Sequence, residues 1–210
     1  MSMSCVSAGT VPISGGIKGA LSISTFSGDS KELVSGIAGY GYDSVGMGTS
    51  SRTGLGIGGF VDIGGGKLSF QPELWYIQKG MKGTGIGSSG GGEGTIKLNY
   101  IEIPLLLKVD LGVPNAQVKP YLFVGPQVSF LASSTLDVTW IGHSESDEIS
   151  SAVNSTDFGL TGGVGIDVSQ FLLEARYDMG LTNVLKDTAG GDLISVKNST
   201  FLIAAGYRFN

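Results

Sequence analysis

Tyr100-Ile101-Glu102-Ile103-Pro104-Leu105-Leu106-Leu107-Lys108-Val109 is the stretch that decides the fold. Ile101, Ile103, Leu105, Leu107 and Val109 occupy one parity, against Tyr100, Glu102 and Lys108 on the other. Successive side chains of a strand point to opposite faces, so the segment reads as a strand with one apolar and one polar face. Seven further runs repeat the alternation: Ile17 to Ser24, Leu55 to Ile63, Leu68 to Gln78, Lys119 to Leu131, Asp157 to Val168, Phe171 to Leu181 and Thr200 to Phe209. Helical spacing of three and four does not recur. A run of about ten residues is what a tilted strand needs to cross a bilayer.

The connections sort into two kinds. Ile63 to Lys67, Asp110 to Val118 and Val168 to Gln170 are tight, whereas Thr25 to Arg52, Lys79 to Thr95, Ala132 to Thr156 and Thr182 to Ser199 are long. Short and long alternate along the chain. In a meander, alternate connections lie at the same end, so all the long loops are expected at one rim. The expected fold is all-β, a closed antiparallel up-and-down barrel of about eight strands of the transmembrane outer-membrane type. Pro72, Pro104 and Pro126 fall inside strands, where each should mark a bulge or a local ladder break. The Gly-rich run Gly83 to Gly94 reads as a flexible loop.

Composition agrees. The 36 Gly are about twice the usual share of roughly 7%, scattered without a collagen period. A net charge of -5 with no basic stripe argues against a nucleic-acid partner. The only cysteine, Cys5, cannot form an internal disulfide, and Ser2-Met3-Ser4-Cys5 is a poor lipidation signal. One Cys and one His cannot supply a standard zinc set, so neither metal nor cofactor is expected. No apolar run reaches the length of about 18 residues that marks a transmembrane helix. Residues 1–13 are expected to be a disordered start or precursor remnant without a recognisable signal peptide, and residues 14–210 a single barrel domain.

Two faces do not label themselves inside and outside. A soluble lipocalin-like barrel binding a hydrophobic ligand would turn the apolar face inward. The apolar face here is nearly free of charge along every run, while the other mixes Gly with Glu73, Glu102, Lys108, Glu174, Arg176, Asp178 and Arg208. Complementary charges suit a narrow lumen, where lone ions are costly, and such a network would plug it. The outward set is then Ile101, Ile103, Leu105, Leu122 and Val124, facing lipid. Aromatics near strand ends (Tyr76, Tyr100, Tyr121, Tyr177, Tyr207, Phe209) are expected as interfacial girdles.

At several of these places the chain resembles the PorT-like outer membrane β-barrel domains of Bacteroidetes. The matching pieces are Lys18 to Ser24, Gln71 to Tyr76 with Lys79-Gly80, Tyr100 to Lys108, Pro120 to Pro126, Arg176-Tyr177-Asp178 with Gly180 to Asn183, and Gly206 to Phe209. The resemblance runs from about Ile17 to Phe209 and implies the barrel fold and a bacterial outer-membrane address. It implies no reaction, and it admits a role as an accessory factor of outer-membrane secretion. Asn210, after the terminal aromatic, departs from the family pattern and is expected to weaken recognition by the barrel-insertion machinery.

Candidate chemistry is sparse. His143, the only histidine, lies in His143-Ser144-Glu145-Ser146-Asp147-Glu148. A base beside a serine and carboxylates has the ingredients of a hydrolase, and Glu145, Asp147 and Glu148 those of a weak divalent-cation site. Adjacent residues on a loop rarely hold catalytic geometry, so a solvated acidic loop is the expected state. Asn154-Ser155-Thr156 and Asn198-Ser199-Thr200 match the glycosylation pattern without functional meaning in a bacterial protein. The sequence therefore predicts a non-enzymatic barrel with no catalytic residues. Its expected partners are outer-membrane lipid, the insertion machinery and an extracellular ligand at the long loops.

Overall fold

A computed structural model describes residues 11–28, 45–87, 90–112, 116–140, 143–149, 153–184 and 196–209. Among these are nine strands and no helix: β1 (Ile13–Gly28), β2 (Val45–Gly65), β3 (Leu68–Gly87), β4 (Gly90–Asp110), β5 (Val118–Trp140), β6 (His143–Glu148), β7 (Thr156–Val168), β8 (Phe171–Gly180) and β9 (Val196–Phe209). All pairings are antiparallel. β1 pairs with both β2 and β9, and β4 with β5, so eight strands close into a ring. β6 stands outside the ring, paired among the described residues only with Thr135 to Trp140 of β5.

The apolar face points out. Ile17 is 54% exposed and its neighbour Lys18 2%; Tyr76 is 42% exposed and its neighbour Trp75 2%. The same contrast runs around the ring through Leu55, Leu105, Val124, Val164, Leu173 and Ile203, all exposed. An apolar belt of this extent has no stable place in water and belongs in lipid. The soluble-barrel alternative is thereby overturned, since its charges would face solvent and its apolar residues the lumen.

At one rim the turns are tight. β2 and β3 join through Gly66-Lys67 with Gly66 at φ +79°, and β7 and β8 through Ser169-Gln170 with Ser169 at φ 58°. At the other rim two of the expected long loops, Lys79 to Thr95 and Ala132 to Thr156, prove to be largely strand among the described residues. β2, β3, β4 and β5 run 21, 20, 21 and 23 residues, about twice the 9–11 that a bilayer crossing requires. The Gly83 to Gly94 run, expected as a flexible loop, continues the β3–β4 ladder out to Gly87↔Gly90. Composition misleads there because it cannot see the neighbouring strand. Once a ladder is in register, extending it satisfies further backbone donors and acceptors whatever the side chains are.

The prolines break ladders without shifting them. Pairing is interrupted opposite Pro72 between β2 and β3, opposite Pro104 between β3 and β4, and opposite Pro126 between β4 and β5; each ladder resumes in the same register. Register shifts occur elsewhere. One lies between Asn99↔Ser133 and Tyr100↔Leu131, leaving Ala132 as the extra residue. There the buried parity of β5 changes, from Tyr121, Phe123, Gln127 and Ser129 to Ser134. A one-residue slip turns every later side chain to the other face.

Candidate functional site: the barrel lumen

The inward side chains stack in layers. Nearest the tight turns, Asp62, Lys108, Asp167 and Arg208 form a cluster. Arg208 donates to Asp62 Oδ2 at 2.9 Å and to Asp167 Oδ2 at 3.1 Å, and Lys108 donates to Asp167 Oδ2 at 2.9 Å. A recess of about 720 Å³ opens at this rim and reaches the cluster. Lys108 Nζ also lies 3.7 Å from the centroid of the Tyr121 ring.

The central layer is drier. Lys18 Nζ donates to Glu73 Oε1 and to Glu174 Oε1, each at 2.6 Å, and Arg176 Nη2 donates to Glu73 Oε2 at 2.6 Å. Gln71 and Trp75 add donors to Glu73 at 2.7 Å each, and the Tyr121 hydroxyl donates to Glu174 Oε1 at 2.9 Å. The four charged side chains are at most 2% exposed. Burying ions costs several kcal/mol each unless their partners and hydrogen bonds are all in place, and here most are.

The glycines of the polar face make room for this layer. A Cβ on Gly58 would sit 2.5 Å from the Trp75 ring, and one on Gly165 2.3 Å from the Tyr121 ring. A barrel of about eight strands is only wide enough for side chains, so large rings must be matched by absent ones on adjacent strands. Such pairings account for part of the glycine excess.

Further toward the long hairpins, Lys79 pairs with Glu102 at 2.7 Å and with Asp178 at 3.8 Å. Ser129 donates to Glu102, and Thr161 to Asp178. Asn198 links Asp157 at 3.0 Å with the Tyr100 hydroxyl at 3.4 Å. An apolar cluster that includes Phe26, Ile77, Met81, Ile96, Leu98 and Leu202 adjoins this layer, and Val153 and Val184 pack into it. Those two valines belong to connecting segments tied together by Asn154 N–H to the Val184 carbonyl at 2.8 Å. The lumen is thus recessed at the turn rim and filled with side chains above it.

Glu73, Glu102, Lys108, Glu174, Arg176, Asp178 and Arg208, expected along the lumen, lie in these layers. Lys18, Asp62, Lys79, Asp157 and Asp167 join them, beyond the expected set, and each shares the parity of polar neighbours on its strand. Tyr76, Ile101, Ile103, Leu105, Leu122, Val124, Tyr177, Tyr207 and Phe209 lie on the outer face. Two expected girdle residues do not. Tyr100 and Tyr121 are 1% and 2% exposed and belong to the lumen, because each shares the parity of its inward neighbours Glu102 and Phe123. Phe171, Tyr207 and Phe209 stack edge to face at 5.5 and 5.8 Å between centroids, at the turn rim.

The acidic segment is β6, a strand rather than a loop. Ser146 donates to Asp137 Oδ1 at 2.7 Å, and Ser144 Oγ lies 3.4 Å from Thr139 Oγ1. Lys97 pairs with Asp137. Hydrogen bonds from Lys97 and Ser146 hold the Asp137 carboxyl below the ordinary aspartate value. Among the described residues no three His, Cys, Asp or Glu side chains converge as a metal cage. Asn198 faces the lumen at 3% exposure, where no glycan fits. Cys5 lies outside the described residues.

A family model for the outer membrane protein beta-barrel domain matches residues 12–186. No curated protein sequence gives a significant match. Among solved structures, Neisserial surface protein A is 16% identical, with 94% of this chain and 99% of that chain covered at a TM-score of 0.50. OprG from Pseudomonas aeruginosa is 16% identical over 94% of each chain at 0.44. Ail of Yersinia pestis is 17% identical, over 93% of this chain and 98% of that one, at 0.43. The first of these likenesses supports the barrel fold and no more.

Proposed function

Because the chain belongs to the outer membrane protein beta-barrel domain family and is a barrel of the bacterial outer membrane, we propose that it is non-enzymatic, with a lumen closed to solutes. Its role is then carried by the hairpins that rise beyond the lipid. The carrying observation is the central layer, in which Lys18, Glu73, Glu174 and Arg176 bridge the bore within hydrogen-bond distance of one another. A conducting path needs continuous water, and at that level buried, mutually bonded side chains cross the bore.

In this reading residues 14–210 are one domain, and Ile101, Ile103, Leu105, Leu122 and Val124 face acyl chains. Tyr76 and Tyr177 mark one interface, Tyr207 and Phe209 the other, where amphipathic rings are favoured. The paired upper reaches of β2 to β5, with β6 beside them, offer an extracellular surface for a ligand. The finer PorT-like assignment, and with it a part in secretion, rests on the resemblance of segments such as Tyr100 to Lys108.

Planar-bilayer recording on the refolded chain tests closure. The expected record shows no stepwise conductance for the wild type. Reproducible unitary steps in the wild type would overturn the reading.

A further inference from the structure

The charges of the lumen do not balance. The turn-rim layer sets two cations against two carboxylates, and so does the central layer. The layer toward the hairpins sets Lys79 alone against Glu102, Asp178 and Asp157. Asp157 is the carboxylate left over. It is 7% exposed and makes no ion pair among the described residues. Its Oδ2 accepts from Asn198, and its Oδ1 accepts from nothing. Arg52, the next cation along, donates to the Lys79 carbonyl at 2.6 Å.

Other oxygens around Asp157 share its condition. Asn198 Oδ1, Gln127 Oε1 and Thr200 Oγ1 are all without partners, on residues at least nine-tenths buried. They are neighbours by contact and register. Asn198 touches Asp157, Thr200 lies two residues along the same strand opposite Asp178, and Gln127 packs against Gly159, two residues from Asp157. Gly180 lets Asp157 and Asn198 approach, since a Cβ there would sit 2.9 Å from Asp157 Oδ2 and 3.2 Å from Asn198 Cβ. A cluster of buried oxygens without donors, beside unbalanced negative charge, suits a positively charged ligand.

We propose that the hairpin-side half of the lumen binds one hard, oxygen-seeking cation of the calcium class, anchored by Asp157 Oδ1. Oxygens of Asn198, Gln127 and Thr200, with water, supply the rest of the shell. Calcium accepts about six to eight mixed carboxylate, amide and water oxygens in loose geometry, so a cage of three carboxylates is not required. Glu102 and Asp178 contribute charge to the layer.

The test uses the full chain refolded in detergent, stripped with chelator and desalted. Elemental analysis after incubation with calcium should find one equivalent retained. The melting transition should rise with the logarithm of free calcium, as expected for a ligand that binds only the folded state. Asp157→Asn should lose both the retained ion and the shift, Thr200→Val should reduce the shift, and Glu93→Gln on the exposed hairpin should keep both. Wild-type protein that retains no calcium, with a melt indifferent to calcium, overturns the proposal. So does a melt that follows pH but not the cation, which assigns the surplus charge to a proton. If Asp157→Asn fails to fold, the wild-type titration and elemental analysis still decide.

Discussion

Glu73 and Arg176 are separated by 103 positions in sequence and meet at 2.6 Å across the lumen. β3 and β8 are not neighbours in the sheet, so this contact spans the bore rather than a ladder. Lys18 and Glu174 complete the square, and among the described residues the four pair only with one another.

Removing one corner should therefore cost more than a surface pair would. Glu73→Ala leaves Lys18 and Arg176 facing each other without their shared carboxylate. A loss of about 3–5 kcal/mol is expected, the range for an uncompensated buried charge. Urea unfolding in lipid vesicles, followed by Trp fluorescence, measures it. A Glu73→Gln, Lys18→Met double variant should recover most of the loss, because it removes a charge of each sign.

Packing across the bore gives a second expectation. Gly58→Ala places a methyl group 2.5 Å from the Trp75 ring. Overpacking of this kind costs about 1–3 kcal/mol. Pairing it with Trp75→Phe should relieve part of the cost, and a cycle of the four proteins by unfolding reports the coupling.

On the outer face, depth should decide the outcome. Leu105→Arg at an exposed apolar position should destabilise the inserted barrel by about 2–4 kcal/mol, as cations do near the bilayer midplane. Thr139→Arg, exposed on the upper reach of β5, should be nearly neutral. Equal effects at the two sites, measured by unfolding from vesicles, would contradict the assignment of the upper strands to water.

The β5–β6 hairpin should weaken in acid. The Asp137 carboxyl is held below its ordinary value by hydrogen bonds from Lys97 and Ser146. A depressed carboxylate contributes stability that is fully present above its unfolded value and is lost as pH falls through the folded one. An NMR titration should find the Asp137 midpoint below that of a free aspartate, and Lys97→Ala should move it upward. The pair is exposed, so the effect belongs to the hairpin and not to the barrel.

The alternation of Ile101, Ile103, Leu105, Leu107 and Val109 with Glu102 and Lys108 determined by itself that these segments are strands with one face for charge and one for hydrocarbon. Spacing of the tight turns did the same for the meander, because both signals are local. What lies in register with what is not local. The continuation of β3 and β4 past Gly83, the slip at Ala132 and the inward turn of Tyr100 and Tyr121 depend on which strand stands alongside. The meeting of Glu73 with Arg176, and the stranding of Asp157 without a cation, depend on closure of the ring. Only that closure sets how many charges share one narrow bore, and so which pair and which remain over.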